Sequence, residues 1–521
     1  MHIDARQLDN QSIIEGDICI IGAGAAGISI ALDWENTPYK VILLEGGGFD
    51  YDDRVQELYN GKITGHPYYP NKASRLHYFG GSTGHWGGMC STFDDIDFVK
   101  RDWVENSGWP IKREDIATYY PKAHDILDLG PFEWDVKYWL KQNTNFKALP
   151  LDENVIWSKM WHFSPPTRFG SKYKDAVVNA KNIHLYTYAN VVDIEATENV
   201  ASIKQVTVKN YAGKQHTVKA KYFILACCSI QNARVLLACN KQAPAGLGND
   251  NDKVGRYFME HVEIKTGEMW LNQSDPLPLY KMDLSTKVRA ELAISPKKQE
   301  ELKVLNGTVS LMPLVMSKNT IPSVKLWTSD DPRKSLDTFH KYSVLDKRNF
   351  IERLFSKKND FQSYGLFTRA EQLPNPNSRV LLSDEKDELG VPRANLNWAL
   401  SPIDKKTVLA INTLLGQQVG AAGLGRVKLA DFLFDNDVNL PDYTSGGWHH
   451  IGTTRMSETP KTGVVDLNCK IHSINNLYIA GASCYPTGGA VNPTLTCVAI
   501  SLRLSNHLKE QIKTAAIVQN S

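Results

Sequence analysis

The chain has 521 residues, 42% of them apolar and 22% charged, and its 59 Lys and Arg against 57 Asp and Glu leave a formal charge of +2. These proportions are those of soluble globular domains. They exclude disorder as a description of the whole chain, and the charge balance calls for neither nucleic acid nor an anionic membrane as a partner.

Residues 1–15 are polar and hold no basic segment followed by an apolar run, so no secretory signal is read and the expected address is the cytoplasm. The first strong pattern is Ile18-Cys19-Ile20-Ile21, then Gly22-Ala23-Gly24-Ala25-Ala26-Gly27, then Ile28-Ser29-Ile30-Ala31-Leu32, ending before Pro38. Its periodicity predicts strand, glycine turn and helix. A second apolar run, Val41-Ile42-Leu43-Leu44, ends at Glu45, where the acidic ribose ligand of a dinucleotide βαβ unit is expected. In such a unit the glycines let the backbone approach a pyrophosphate, and the helix N-terminus stabilises its charge.

Strand-like runs resume at Ile183 to Leu185 and at Tyr222-Phe223-Ile224-Leu225-Ala226, the latter leading into a predicted helix over residues 231–239, so the dinucleotide fold is expected to be discontinuous. From about residue 265 to 400, alternating runs such as Gly307-Thr308-Val309-Ser310-Leu311 and Arg379-Val380-Leu381-Leu382, with a turn signal at Asn375-Pro376-Asn377, predict a largely antiparallel inserted sheet. The end of the chain returns to a strand, Leu477-Tyr478-Ile479-Ala480, a turn at Gly481 and a helix after Asn492-Pro493. Residues 477–502 carry no charge, but Pro486, Gly488-Gly489 and Asn492-Pro493 punctuate them too often for a membrane span.

Two late segments carry chemistry: Gly446-Gly447-Trp448-His449-His450-Ile451-Gly452-Thr453, and Gly488-Gly489-Ala490-Val491-Asn492-Pro493-Thr494. Paired histidines beside glycines suggest a turn near a ligand. Asn492 reads as a helix N-cap and Pro493 as a first helical residue, so free N–H groups and the helix dipole would face a ligand such as a flavin ring, whose reduced form carries negative charge. Taken alone, Asn492 is a simple cap and His449 a buried, hydrogen-bonded histidine. The eight cysteines show no CxxC spacing and read as reduced core residues. Adjacent histidine side chains diverge and have no spaced carboxylate or cysteine partner, so no metal site is expected.

These motifs together resemble the glucose–methanol–choline (GMC) family of flavin oxidoreductases over most of the chain. Gly22 to Gly27 with Glu45 matches the family's FAD pyrophosphate and ribose site, and Gly80-Gly81-Ser82-Thr83-Gly84-His85-Trp86-Gly87-Gly88 its flavin-covering loop. Ala226-Cys227-Cys228-Ser229-Ile230-Gln231 resembles the second family signature, Gly255-Arg256-Tyr257-Phe258-Met259-Glu260-His261 another landmark, and His449-His450-Ile451-Gly452-Thr453 the H-x-x-G-T/C pattern. Two departures stand out: Cys228 where the signature has glycine, and Gly481 where many members have aspartate. The His85-Trp86 and Asn492-Pro493 variants lie nearest the pyranose oxidase and fructose or glucoside dehydrogenase branch.

The resemblance implies an α/β fold in which a discontinuous Rossmann-like FAD-binding domain (residues 1–95, 180–262 and 436–521) holds an inserted α+β substrate domain (residues 96–179 and 263–435) built on a largely antiparallel sheet. It implies FAD contacts from Gly22, Gly24, Ala25, Ala26, Gly27, Glu45, Gly81, Ser82, His85, Trp86, Gly87, Val192, Gly481, Asn492, Pro493 and Thr494. His85 aligns with the position of covalent flavin attachment in pyranose oxidases, with a noncovalent role slightly favoured. The implied reaction is oxidation of a sugar or glycoside ring hydroxyl to a keto-sugar by hydride transfer to flavin N5. His449 serves as base, titrating near neutrality, Asn492 holds the substrate oxygen, and His450 is structural. The alternatives are oxidation of a primary alcohol on an amino-sugar or non-sugar substrate, or a lyase on the same fold. The electron acceptor is oxygen or a quinone or haem partner, and a signal-bearing partner subunit would carry the chain to the periplasm. Neither motif nor composition sets a subunit count. Selectivity is expected in the inserted sheet and in loops around Tyr68-Tyr69 and residues 320–345.

Overall fold

The computed structural model describes residues 1–272, 277–281, 286–314 and 363–520, so the expected selectivity loop at 320–345 lies outside the described residues. The runs Ile18–Ile21 and Val41–Leu44 are buried on both faces, as parallel strands covered by helices on either side must be. They sit at the centre of a six-stranded parallel sheet ordered His2–Asp4, Ile183–Thr187, Val41–Leu44, Ile18–Ile21, Tyr222–Leu225, Leu477–Ile479. Strands from three separate stretches of chain therefore share one sheet, and the dinucleotide unit is discontinuous as expected. Helix α1 (Ala25–Asp33) follows the first glycine turn, and α2 (Cys228–Ala238) begins three residues before the predicted start.

Helix α3 (Pro402–Ala421) opens with a capping box in which the Ser401 and Asp404 side chains each accept a backbone N–H from the other's end of the turn. It covers one face of a large antiparallel sheet. That sheet is ordered Gly425–Leu429, Val262–Leu271, Ser363–Ala370, Gly307–Pro313, Val288–Ile294, Ile156–Phe163, Met89–Cys90, with Ser445–Gly446 paired to Val262 and Glu263. Strand alternation divides its side chains. Leu292, Val309, Leu311 and Leu366 pack with Ile411, Leu415 and Val419 of α3. The intervening positions carry Glu263, Glu291, Thr308, Ser310 and Arg369 on the other side: Glu291 accepts hydrogen bonds from Thr308 Oγ1 (2.8 Å) and Ser310 Oγ (2.6 Å), and Arg369 Nε donates to Glu263 Oε1 (2.8 Å).

The fold is thus the expected α/β class with an antiparallel sheet beside the parallel one. One strand is placed differently. Arg379–Lys386 leaves the large sheet and pairs with Pro392–Asn397, which in turn pairs parallel to Gly61–Ile63. Alternation identifies a half-buried strand without naming its partner. Here the partner is fixed by Arg234 of α2, which ion-pairs with Asp387 (2.5 Å) and donates to Pro392 O (2.7 Å). The closing helix α4 (Thr494–Asn520) packs on α1. Among the described residues no helix is long and apolar enough to cross a membrane, and no group of three or more His, Cys, Asp or Glu side chains is placed to hold a metal ion.

Candidate active site

A cleft of about 430 Å³ runs from the C-terminal ends of the parallel strands to the edge of the large sheet. At one end lies a cradle of backbone. Gly22 has φ +106°, and a Cβ there would stand 2.7 Å from Ala226 O, so only glycine fits the turn. Gly24, the residue before α1, offers no side-chain cap, and a Cβ on it would project into open space. The first N–H groups of α1 are therefore left to a ligand, as an anion-binding helix start requires. Glu45 at the tip of its strand accepts from Ala23 N (3.0 Å) and Gly47 N (2.9 Å); burial pushes its carboxyl up, while those two N–H groups oppose the shift.

The cleft gathers Gly22, Gly24, Ala25, Ala26, Glu45, Gly81, Ser82, His85, Trp86, Gly87, Val192, Gly481, Asn492, Pro493 and Thr494, together with His449. Gly27 is the exception. It does not line the cleft, and a Cβ on it would lie 1.9 Å from Gly22 O, so its part is to let α1 pack on the strand before it. His85 is buried with its ring 4.8 Å from that of Trp448. The two departures from the family pattern share a backbone feature: Cys228 has φ +70° and Gly481 φ +97°, both in the left-handed region.

The other end of the cleft is built by an irregular strand pairing. Val262 pairs with Gly446, and Met259 with Ile451, but two residues, Glu260 and His261, separate the first partners while four, residues 447–450, separate the second. The longer segment loops out toward the cleft, with Trp448 at φ +59°. His449 Nδ1 lies 2.9 Å from His261 Nδ1, and among the described residues its Nε2 has no hydrogen-bond partner. Burial, together with His261, Arg369 and His450, holds the His449 imidazole well below 6.5, lower than the near-neutral value expected of the base; it is neutral at pH 7 and able to accept a proton. Both nitrogens of His450 are engaged: Nε2 with Tyr68 Oη (2.9 Å) and Nδ1 with Cys228 Sγ (3.5 Å).

Asn492 departs from expectation. Its Oδ1 is buried with no hydrogen-bond partner among the described residues, so the side chain does not cap α4, which starts at Thr494. Asn492 and His449 both line the cleft, and a buried acceptor left without a partner is one that a bound polar group or water would satisfy. The glycine turn, the uncapped start of α1, Glu45 and this acceptor together fit a flavin dinucleotide. Sequence reasoning did not give Glu260 or His261 a role in the site, although it marked the motif that contains them; nor did it find Glu263, which lines the cleft. Their signal is the pairing register, which no local pattern encodes.

A family model described as GMC oxidoreductase matches residues 374–501. The chain is 42% identical over 450 residues to the pyranose 2-oxidase of Tricholoma matsutake, an overlap of 81% of this chain and 71% of that one. It is 24% identical over 567 residues to the 2-methyl-1,2-propanediol dehydrogenase of Mycolicibacterium austroafricanum, covering 95% of each. The solved structure of pyridoxine 4-oxidase from Mesorbium loti superposes with a TM-score of 0.55 at 16% identity, over 95% of this chain and 99% of that one, a likeness of fold.

Proposed function

The chain belongs to the GMC oxidoreductase family, and from that premise we propose that it oxidises a ring hydroxyl of a sugar or glycoside to the ketone, with His449 as base and Asn492 as the holder of the substrate oxygen. The observation that carries this reading is that His449, whose Nε2 makes no hydrogen bond among the described residues, and Asn492 line the same cleft as the dinucleotide cradle. FAD, when bound, supplies the acceptor for the hydrogen that leaves carbon. Neutral His449 takes the hydroxyl proton, and Asn492, donating from its amide Nδ2, restrains the oxygen so that the carbon faces the acceptor. Glu263, tied to Arg369, adds a polar wall suited to a polyol, and similarity to a pyranose 2-oxidase supports the same substrate class. His85, packed on Trp448, holds the flavin without a covalent bond; acid precipitation should then release all the flavin into the supernatant. We assign residues 1–95, 180–262 and 436–521, which contain all six parallel strands, to the cofactor half, and residues 96–179 and 263–435 to the substrate half.

The deciding experiment is an anaerobic absorbance titration of the flavin-loaded protein with free sugars, glucosides and simple diols, followed by air. Bleaching of the flavin band by sugars or glucosides is the expected result. Bleaching by diols alone would replace the sugar reading with the simple-alcohol one that similarity to a propanediol dehydrogenase favours. Fast recovery in air identifies oxygen as acceptor; slow recovery points to a quinone or haem partner.

A further inference from the structure

The two residues opposite the looped-out segment make contacts that the reading of His449 as base leaves unused. His261 is fully buried, and its Nε2 lies 2.9 Å from Gly489 O and 3.2 Å from Gly488 O. Carbonyl oxygens only accept, so His261 Nε2 carries the ring proton, and a neutral imidazole has no second one. Its Nδ1 is then a bare lone pair facing His449 Nδ1 at 2.9 Å, so His449 Nδ1 is the donor of that bond. His449 in turn has no proton left for Nε2. Two backbone carbonyls thus determine, through one intervening ring, which nitrogen of His449 is basic.

Glu260 acts on the same histidine from the main chain. Its Oε2 accepts from His449 N (2.8 Å), Gly447 N (3.2 Å) and His261 N (3.3 Å), while Oε1 accepts from Tyr68 Oη. The two glycines of the turn make room for these contacts: a Cβ on Gly446 would lie 2.8 Å from Glu260 Cδ, and one on Gly447 2.5 Å from His449 Nδ1. A carboxyl group that gathers three N–H groups from both sides of the pairing holds the turn open although Trp448 sits in the left-handed region.

We infer that Glu260 and His261 are positioning residues for His449, Glu260 fixing the backbone of the looped-out turn and His261 fixing the ring tautomer that leaves Nε2 basic. The inference rests on His449 being the base, and its first readout does not involve substrate. In flavin-loaded protein labelled with ¹⁵N-histidine, with His449 assigned by the signals lost in His449→Gln, the expected spectrum at neutral pH shows a protonated Nδ1 and an unprotonated Nε2. A protonated Nε2 in the unmodified protein would overturn the proposal. In His261→Phe the proton should redistribute toward Nε2 and kcat/KM fall about 10- to 100-fold, the usual cost of removing an orienting partner. His261→Gln, whose amide oxygen can accept from Nδ1, should keep the tautomer and lose no more than about threefold. Glu260→Gln, which weakens the grip on the turn without touching the ring, should lower kcat and leave the tautomer as it was. Equal losses in His261→Phe and His261→Gln, or none in either, would reduce His261 to packing. The expected tautomer in an enzyme that no sugar reduces would remove the sugar reading and leave the positioning role in place.

Discussion

The cradle around Gly22 and the turn around His449 face the same cleft and are built on opposite principles. The cradle is contiguous: a strand, three glycines, a helix start and one acid, all within residues 18–45, and most of what it offers a ligand is backbone. The turn is assembled across the chain, with Glu260 and His261 from one segment, residues 446–450 from another, and the carbonyls of Gly488 and Gly489 from a third. A site made of backbone depends on the space between elements, whereas a site made of side chains depends on hydrogen bonds between distant residues. The two should therefore fail in different ways.

The largest effect is expected in the cradle. Gly27→Val would force a side chain into the 1.9 Å separating an ideal Cβ from Gly22 O and push α1 away from its strand. The variant should purify without flavin, as read from its visible spectrum; retention of a full complement would show that the cradle tolerates displacement. His449→Gln should do the reverse, keeping the flavin and the thermal midpoint while kcat falls about 10²- to 10⁴-fold, the range for loss of a general base. If the flavin were lost with His449, the two regions would be one structural unit.

This contrast also explains what could be read in advance. The cradle was legible because its physics is local: buried four-residue strands, a glycine turn and an acid at a fixed offset leave a contiguous trace. His449 and Asn492 were singled out by likeness to a family, but their neighbours were not. That Asn492 leaves α4 uncapped, that Arg379–Lys386 belongs to a second small sheet, and that Glu260 faces His449 all follow from pairings between residues more than a hundred positions apart or from packing around them. Glycines 446, 447, 488 and 489 hinted at a crowded turn without saying what crowds it.

Buried carboxyls provide a thermodynamic version of the comparison. Burial pushes Glu260 from 4.5 up to about 8 and Asp404 from 3.8 up to about 7, and raises Asp97 in the same direction with help from Asp94 and Glu371. Each binds its proton more tightly folded than unfolded, so its contribution to stability is complete below the unfolded value and is lost as pH rises through the folded one. Urea midpoints should accordingly carry a component that declines from about pH 4 to about pH 8. Glu260→Gln and Asp404→Asn should each flatten that decline, but only the first should also alter turnover, because Asp404 caps α3 and accepts from Ser401 N and Leu373 N rather than from the turn. A decline unchanged in both variants would mean that these groups ionise alike in the folded and unfolded chain.

The smallest effect tests whether the two regions touch. Cys228 opens α2 beside the cradle, takes φ +70° where the family resemblance implies glycine, and sets its Sγ 3.5 Å from His450 Nδ1, behind the His449 turn. Cys228→Gly relieves a left-handed non-glycine residue, worth about 1–2 kcal/mol, but gives the unfolded chain more freedom, worth about 0.4–1 kcal/mol in the other direction. The net should be a gain of about 0 to 1.6 kcal/mol, read as a small rise in thermal midpoint. Turnover is the informative quantity. The other nitrogen of His450 is held by Tyr68, itself bound to Glu260, so a thiol that serves only to fill space leaves kcat unchanged on removal. A severalfold drop in kcat with flavin content intact would mean that the cradle reaches His449 through Cys228, His450, Tyr68 and Glu260.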